Sequence, residues 1–369
     1  MTAETTLFIF ILLLYLAQCA LFTYGLLKAR FDKDPFFQPR VSVVTAARNE
    51  EQNIAACIES LTRLEYPKNK LEIIIVDDNS TDKTSNIMRG FADKHSNVKA
   101  LNGSRTVGNL RGKANAIAQG IDVSSGEIIL MTDADCVVPP SWVQATVQHY
   151  TDDIGVVAGL TLLQPVGWFA GMQSLDWAYI LAVASATMAL KNPLSCIGNN
   201  FSFRREAYDE VGGYRGIKFS VTEDFALFKA ITRSGRWGYR YPLEKESLVF
   251  SKACGTLPEL YRQKRRWGVG GKDMPLSGLM IMVIAFCMHF FLIGGYFFNL
   301  SLMFLLFGFA VKFLCDFILL SIPLIKSKQF TQLKYFGLFE IYYMLYVIIL
   351  PFAVFFGGKV SWKGRKYKQ

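Results

Sequence analysis

The sequence predicts an α/β domain with a parallel sheet, flanked at both ends by transmembrane helices. Three apolar, β-rich runs at residues 41–46, 71–76 and 127–132 alternate with helix-like stretches, which is typical of a parallel sheet covered by helices on both faces. The most hydrophobic segments lie near the two ends of the chain, whereas residues 39–272 have ordinary polarity. We therefore expect one sizeable central domain between terminal membrane segments.

The composition excludes several classes of protein. Of the 369 residues 51% are hydrophobic and 19% are charged, and the mean hydropathy is +0.25. These values are too apolar for an ordinary cytosolic enzyme or a disordered chain. The net charge of +10 favours anionic partners such as nucleic acid, anionic lipid or a phosphorylated substrate. The seven cysteines form no CxxC pair, so neither a disulfide framework nor a zinc knuckle is expected.

The N-terminal segment, residues 1–30, is predicted to be a retained transmembrane anchor. Residues 7–27 carry no charge and are long enough to cross about 30 Å of hydrocarbon. The segment has no basic start and runs into Lys28, Arg30 and Lys33, which does not fit a cleaved signal peptide. Because basic flanks stay on the cytoplasmic side, the central domain is expected in the cytoplasm, on a plasma or inner membrane.

The C-terminal membrane segments are predicted over residues 276–357. The apolar stretch 276–325 is too long for one span and is expected to form two helices around residues 294–299. A third stretch follows at 335–356. Three full spans would place the basic tail, residues 358–369, outside, against the positive-inside rule, so an interfacial segment or a re-entrant hairpin is the alternative.

Three charged residues lie within these apolar stretches. Lys312 and Asp316 are four residues apart, the spacing that lets them pair on one helical face. A satisfied structural pair is the simpler interpretation, and a transport role is the alternative. Glu340 is expected near the lipid headgroups.

The ends of the three predicted strands carry candidate chemical groups, because ligands of open parallel sheets bind beyond the carboxyl ends of the strands. These segments are residues 47–50, 77–80 and 133–135. No GxGxxG or GxxxxGK[ST] follows a strand, so a dinucleotide site and a P-loop both lose support. Asp133 and Asp135 flank one small residue and can hold Mg²⁺ or Mn²⁺ together with substrate phosphates. Acids that only cap a turn are the alternative.

Two further groups of residues lie at predicted helix starts. Lys113 follows Gly112, where its ammonium and the helix N-terminus both attract anions, and a solvated lysine is the alternative. Glu223 and Asp224 follow Thr222, a predicted N-cap, where they have either a chemical role or only a favourable interaction with the helix dipole.

One later helix presents a polar face. It opens with a capping box at Thr256 and Glu259, and it places Gln263, Arg266 and Trp267 at i, i+3 and i+4. An arginine there can bridge phosphates, and a tryptophan can supply a stacking surface. A membrane-surface anchor that binds acidic lipid is the alternative.

The motifs of residues 41–267 resemble, in their order, those of the family 2 glycosyltransferases, which have the GT-A fold. TED together with QxxRW is similar to the membrane-integrated branch, which includes hyaluronan, chitin, cellulose and poly-N-acetylglucosamine synthases and ceramide glucosyltransferases. The resemblance implies that residues 39–272 are a GT-A catalytic domain. The motifs are VSVVTAARNEE, VDDNSTDKT, GKANA, TDADC, GNNFSFRREAYDEVGGY, TED and QKRRW.

On the donor side, the resemblance implies a nucleotide pocket. Arg48 and Glu50 would line it. Asp78 would read the base with Asp77 beside it, and Lys113 would lie near the nucleotide. The implied donor is a UDP-α-sugar.

On the reaction side, the resemblance implies inverting, metal-dependent transfer. Asp133 would lie near the ribose or diphosphate, and Asp135 would hold the Mg²⁺ or Mn²⁺ that bridges the diphosphate. Asp224, next to Glu223, would be the general base that takes a proton from the acceptor hydroxyl. The residues that would close over the diphosphate and the acceptor end are Gln263, Arg266 and Trp267.

These residue types suit that chemistry. The charge growing on a diphosphate leaving group must be neutralised, which a metal and an arginine can do, and one base on the acceptor then suffices. A glycosidase would instead need paired carboxyl groups that flank the bond.

The acceptor is predicted to be a membrane lipid or a lipid-linked or growing glycan. Processive polysaccharide synthesis is the alternative, although the chain is shorter than most such synthases. An inactive membrane scaffold would show degraded motifs. A nucleic-acid-binding protein would need a basic stripe on the central domain, whereas here the cations cluster beside membrane segments, so lipids are the expected partners and nucleic acid is not.

Residues 166–190 are apolar, with Asp176 as the only charge. They are predicted to include an interfacial helix that brings the acceptor site to the bilayer, and a buried core helix is the alternative.

Overall fold

The computed structural model describes residues 2–367 except 104–109, 219, 221, 272–273, 357–359 and 363–364, with the backbone alone from residue 360. The basic tail predicted over 358–369, and the boundary predicted at residue 272, therefore lie largely outside the described residues.

The chain forms two compact units. The central unit consists of Arg30–Leu162 and Ser195–Lys252. The helical unit consists of Met1–Ala29, Leu163–Leu194 and Ala253–Lys368.

The described elements alternate between strand and helix in the central unit and are almost entirely helical in the helical unit. The strands are β1 Val41–Ala47, β2 Leu71–Asp77, β3 Val98–Asn102, β4 Ile128–Met131, β5 Ile154–Ala158, β6 Thr161–Leu163, β7 Phe201–Arg204, β8 Gly238–Arg240, β9 Val249–Ser251, β10 Val360–Trp362 and β11 Arg365–Tyr367. The helices are α1 Ala3–Lys28, α2 Ile54–Thr62, α3 Thr84–Ala92, α4 Lys113–Asp122, α5 Trp142–Val147, α6 Gly167–Ala189, α7 Arg205–Glu210, α8 Gly213–Gly216, α9 Glu223–Arg233, α10 Leu257–Gly270, α11 Leu276–Gly294, α12 Leu302–Lys326 and α13 Phe336–Phe356.

A seven-stranded sheet with the order β3-β2-β1-β4-β7-β5-β8 forms the core of the central unit. The first four strands in this order are parallel, and β7 runs antiparallel to both of its neighbours. Ala47 pairs with Asp77, and Val44 pairs with Met131. The three strands predicted from the sequence are confirmed as β1, β2 and β4, and their carboxyl ends meet at one edge.

Helices cover both faces of this sheet. On one face, Val43, Ile73 and Leu130 belong to a buried cluster that also contains Ile58 of α2. On the other face α4 approaches closely at Gly120, where a Cβ atom would lie 2.6 Å from a methyl group of Val44. The central strands are therefore buried on both sides, which is why their sequences are nearly continuous apolar runs.

Four described helical segments are long and apolar enough to cross a membrane. The predicted break around residues 294–299 is present: α11 ends at Gly294, and Asn299 has a φ of 57° before α12 begins. A side chain with a short polar amide tolerates this left-handed conformation. The four segments are Ala3–Lys28, Leu276–Phe298, Leu302–Lys326 and Phe330–Phe356.

A buried polar cluster joins several helices of the helical unit. Lys312 of α12 lies 2.9 Å from Asp316 and also pairs with Glu340 of α13. Tyr15 and Tyr179 donate hydrogen bonds to Asp316 at 2.6 and 3.2 Å. The predicted pairing of Lys312 with Asp316 is confirmed. Glu340 is buried and has the ammonium of Lys312 as its partner, and its position near the headgroups stays a prediction.

Helix α6 occupies the region predicted as an interfacial helix. Within the helical unit it packs against α1, α12 and α13, and most of its side chains are buried. Val166 and Trp168, at its start, are exposed. The burial agrees with the alternative of a core helix, and the interfacial position stays a prediction.

Candidate functional site

The loops that follow β1 and β2 are tied together by Arg48. Its guanidinium donates hydrogen bonds to the carbonyl oxygens of Asp78, at 2.6 Å, and Asn79, at 3.1 Å. The amide of Asp78 donates to the carbonyl oxygen of Ala47 at 2.7 Å. Asp77 and Asp78 are both buried, at 7% and 6% exposure. The structure therefore brings Arg48, Asp77 and Asp78 together at the sheet edge.

Asp77 and Glu50 also support the local backbone. One carboxylate oxygen of Asp77 accepts the amide of Ser80 at 3.1 Å, which is the turn-capping use of an acid. The amide of Glu50 donates to the hydroxyl of Thr84 at 2.8 Å, and its carboxylate accepts the side-chain amide of Asn53 at 2.6 Å. Glu50 is thus held beside the start of α2.

Lys113 links two other parts of the central unit. It follows Gly112, whose φ of 59° suits glycine, and it begins α4. Its Nζ lies 2.5 Å from Oδ1 of Asp133, beyond β4, and 3.6 Å from Oε1 of Glu223, at the start of α9. Burial lowers the pKa of Lys113, but the carboxylates of Asp133 and Glu223 raise it by more, so the ammonium stays charged. Lys113 is not a solvated surface lysine.

Asp224 is the next residue in the first turn of α9. One of its oxygens accepts the amide of Phe225 at 2.8 Å, and a Cβ atom on Gly198 would lie 2.9 Å from the other. Burial, together with the charge of Glu223, raises the pKa of Asp224 to about 6, although the charge of Lys113 opposes the shift. A carboxyl group with this pKa changes its protonation close to neutral pH, as a general acid or base must.

The start of α9 matches the predicted helix start. Thr222 is the N-cap residue, although its side chain makes no capping hydrogen bond to a described residue of α9. Its hydroxyl instead lies 3.1 Å from that of Ser220. The two acids that follow are therefore favoured by the helix dipole as well as by Lys113.

Asp133 and Asp135 follow β4 and are the candidate ligands of a divalent cation. Lys113 occupies one oxygen of Asp133, and Cys136 Sγ lies 3.5 Å from Oδ1 of Asp135. Both carboxyl groups are partly exposed at the sheet edge. Among the described residues, no group of three or more Asp, Glu, His or Cys side chains is arranged to hold a metal. The residues fit a hard cation that substrate phosphates would also ligate, rather than one held by protein ligands alone.

Gln263, Arg266 and Trp267 lie on α10, in the helical unit, and are partly exposed. The predicted capping box is present in a variant form. The hydroxyl of Thr256 accepts the amide of Glu259 at 3.4 Å, and the carboxylate of Glu259 accepts the amide of Gly255 at 3.0 Å.

The structure also reveals Lys264, a functional candidate that sequence reasoning missed. It is 3% exposed, pairs with Asp176 of α6, and places its Nζ 4.5 Å from the centre of the Trp267 ring. The available signal was Asp176 itself, because a lone charge in an apolar helix requires a partner when it is buried.

Comparison with known proteins identifies the family to which the central part of the chain is similar. Residues 42–222 match the family model described as Glycosyl transferase family 2. These residues form a family 2 glycosyltransferase domain. Over 240 residues the chain is 30% identical to the β-monoglucosyldiacylglycerol synthase of Nostoc sp.. The aligned region covers 63% of this chain and 49% of that protein.

A second relative is the poly-β-1,6-N-acetyl-D-glucosamine synthase of Staphylococcus epidermidis. It is 27% identical over 240 residues, covering 64% of this chain and 55% of that protein. The chain thus spans about half the length of the curated relatives it matches.

A solved structure supports the fold. The mannosyltransferase PcManGT from Pyrobaculum calidifontis, in complex with GDP-Man and Mn²⁺, superimposes with a TM-score of 0.61 at 17% identity. The match covers 95% of this chain and 99% of that chain. The GT-A fold expected from the ordered motifs is confirmed.

Proposed function

We propose that the protein is an inverting, metal-dependent hexosyltransferase that transfers a sugar from a UDP-sugar to a membrane lipid or a lipid-linked glycan. The observation that carries this proposal is the link made by Lys113 between Asp133 and Glu223, with the buried acid Asp224 beside it. The match of residues 42–222 to glycosyl transferase family 2 supports it.

The donor end of the proposed site lies at the ends of β1 and β2. Arg48 holds the two loops together, and the buried carboxyl group of Asp78 is suited to accept hydrogen bonds from a base. Asp77 and Glu50 stiffen this pocket through their contacts with the backbone and with Asn53. A rigid pocket lowers the entropy cost of holding the nucleotide.

The diphosphate end lies near β4. Lys113 supplies a positive charge there, and Asp133 and Asp135 would hold Mg²⁺ or Mn²⁺. When bound, the cation would neutralise charge that develops on the leaving diphosphate. The Mn²⁺ in the archaeal mannosyltransferase, which has the same fold, supports this part of the proposal.

Asp224 is proposed to take the proton from the acceptor hydroxyl as that oxygen attacks the anomeric carbon. Burial and the charge of Glu223 raise the pKa of Asp224 to about 6, so this carboxylate is a stronger base than an ordinary aspartate and is still ionised at neutral pH. The roles proposed for the α10 residues are those that the family resemblance implies, namely phosphate recognition and an aromatic surface for the acceptor. These residues are Gln263, Arg266 and Trp267.

The lipid acceptor and the cytoplasmic location of the central unit also belong to the proposal. Four apolar helices and the glycolipid synthesis for which the Nostoc relative is named support a glycolipid product. Lys28, Arg30 and Lys33 support a cytoplasmic position for the chain that follows α1. The name of the staphylococcal relative favours the alternative, a processive polysaccharide synthase.

The pH dependence of transfer should report the pKa of Asp224. A base acts only when it is deprotonated, and burial raises the pKa of this group to about 6. We expect kcat to be constant above that pH and to fall about tenfold per unit below it. Initial rates between pH 4.5 and 9, at saturating donor and acceptor, measure this fall of kcat on the acid side of the pH profile, its acid limb. A midpoint near 4, the ordinary value for an aspartate, would contradict the assignment.

The function is tested with the full chain reconstituted in total membrane lipid with Mg²⁺ or Mn²⁺. Release of nucleoside diphosphate is measured from a panel of UDP- and GDP-sugars, followed by mass analysis of the lipid fraction. One discrete glycolipid from a UDP-sugar, lost on chelation of the metal, supports the proposal. A high-mass ladder would support the polysaccharide alternative. If only a GDP-sugar served as donor, the proposed nucleotide, UDP, would be wrong. No release from any donor would support an inactive scaffold.

A further inference from the structure

Lys264 and Asp176 form an ion pair that is almost completely removed from solvent within the helical unit. Their exposed fractions are 3% and 0%, and Tyr342 of α13 donates a hydrogen bond to the same carboxylate at 3.5 Å. Desolvation of two charges offsets much of their attraction, so buried pairs are often no more stabilising than apolar side chains of the same size. Stability alone therefore does not account for this pair.

Aromatic rings surround the ammonium of Lys264. Its Nζ lies 4.5 Å from the centre of the Trp267 ring and 5.2 Å from that of Tyr346. The Trp267 ring in turn lies 5.2 Å from the ring of Trp177, the neighbour of Asp176 on α6. A cation over an indole face is attracted by the ring quadrupole, and more strongly where water is excluded. The pair thus acts directly on the orientation of Trp267.

Other contacts hold the backbone of α10 without acting on Trp267. The side chain of Gln173 exchanges two hydrogen bonds of 3.0 Å with the backbone of Cys254, ahead of the helix. Arg265 donates to the carbonyl oxygen of Ala353 at 3.2 Å. At Gly268 a Cβ atom would lie 2.6 Å from Val354, so this glycine permits close packing against α13. The helix would keep its position if the ion pair were replaced.

We propose that the Lys264–Asp176 pair is a positioning device that holds the Trp267 ring, on the same helix face as Gln263 and Arg266, in the orientation that sugar transfer requires. Both residues act through Trp267 rather than by contact with the substrate. This inference rests on the proposed function of that face.

The test replaces both charges at once, in the double variant Lys264→Leu/Asp176→Leu. An apolar pair leaves no unpaired buried charge, so the variant is expected to fold. We expect kcat to fall 10- to 100-fold, because a small displacement of a positioned group has an effect of about that size. Affinity for the nucleoside diphosphate should change less than twofold. Lys264→Arg should retain most of the activity, and Arg262→Leu, at an exposed position of α10, is the matched control.

A second readout does not depend on turnover. The fluorescence emission of Trp267 is obtained as the difference from a Trp267→Phe variant. In the double variant we expect its emission maximum to shift and its indole ring to be quenched more strongly by acrylamide. Wild-type kcat together with unchanged Trp267 emission would overturn the inference, and so would full activity with altered emission. If the wild-type protein transfers no sugar, the proposed function fails, whereas unchanged emission in the double variant separately refutes positioning of Trp267.

Discussion

Asp224→Asn will abolish sugar transfer and leave nucleotide binding largely intact. Asparagine has the same size and can still accept the amide of Phe225, but it cannot take a proton. We expect kcat to fall about 10²- to 10⁴-fold, the usual contribution of a general base. Transfer rates and calorimetric titration with the nucleoside diphosphate measure the two effects. Wild-type turnover by this variant would refute the role of Asp224 as base.

The same substitution should stabilise the protein above pH 6. Folding raises the pKa of Asp224 from 3.8 to about 6. Its favourable contribution to the free energy of unfolding is therefore present at low pH and is lost as the pH rises through the folded-state pKa. The neutral asparagine avoids that loss, so its free energy of unfolding at pH 8 should be higher by up to about 3 kcal/mol. Thermal denaturation at pH 4 and pH 8 measures the difference, and Asp93→Asn, at an exposed site, is the control. An equal effect at both pH values would contradict this explanation.

Lys113→Met will weaken nucleotide binding and move the acid limb of transfer to higher pH. The variant loses the ammonium that lies between Asp133 and Glu223. Loss of one charge-assisted hydrogen bond to a diphosphate corresponds to about 1.5–3 kcal/mol, or about 10- to 100-fold in Kd. Because the charge of Lys113 lowers the pKa of Asp224, its removal must raise that pKa.

Two comparisons isolate the effect of the charge. Lys113→Arg keeps a cation at this position and should retain more affinity than Lys113→Met, with a smaller shift of the acid limb. Lys94→Met removes a charge from an exposed position of the same unit and should change neither quantity. If Lys113→Met leaves both the affinity and the limb unchanged, Lys113 serves only to satisfy its two acidic neighbours.

Several elements could be predicted from the sequence because their signals are local. The runs at residues 41–46, 71–76 and 127–132 became strands with nearly the expected bounds, since each is a largely apolar run with β-branched residues that lies between turns. The break between α11 and α12 was likewise marked by glycine and asparagine. The common edge of the parallel strands then followed from a general rule of sheet architecture.

Side-chain partners distant in sequence could not be predicted in the same way. Glu340 was expected near the headgroups, yet it pairs with Lys312, 28 residues away on another helix. Lys264 lies within the QKRRW motif, for which the sequence predicts no acidic partner, although it is the buried partner of Asp176. In each case the sequence shows the charge but not the side chain that compensates it.

By itself, the sequence determined the α/β class, the apolar helices and the candidate residues, because periodicity, composition and ordered motifs are properties of short segments. The tertiary structure alone decided which charges meet. It placed Lys113 between Asp133 and Glu223 and set Lys264 over the ring of Trp267. The physical reason is that burial and Coulomb interactions depend on distances in space, which long loops and helix packing establish only when the whole chain folds.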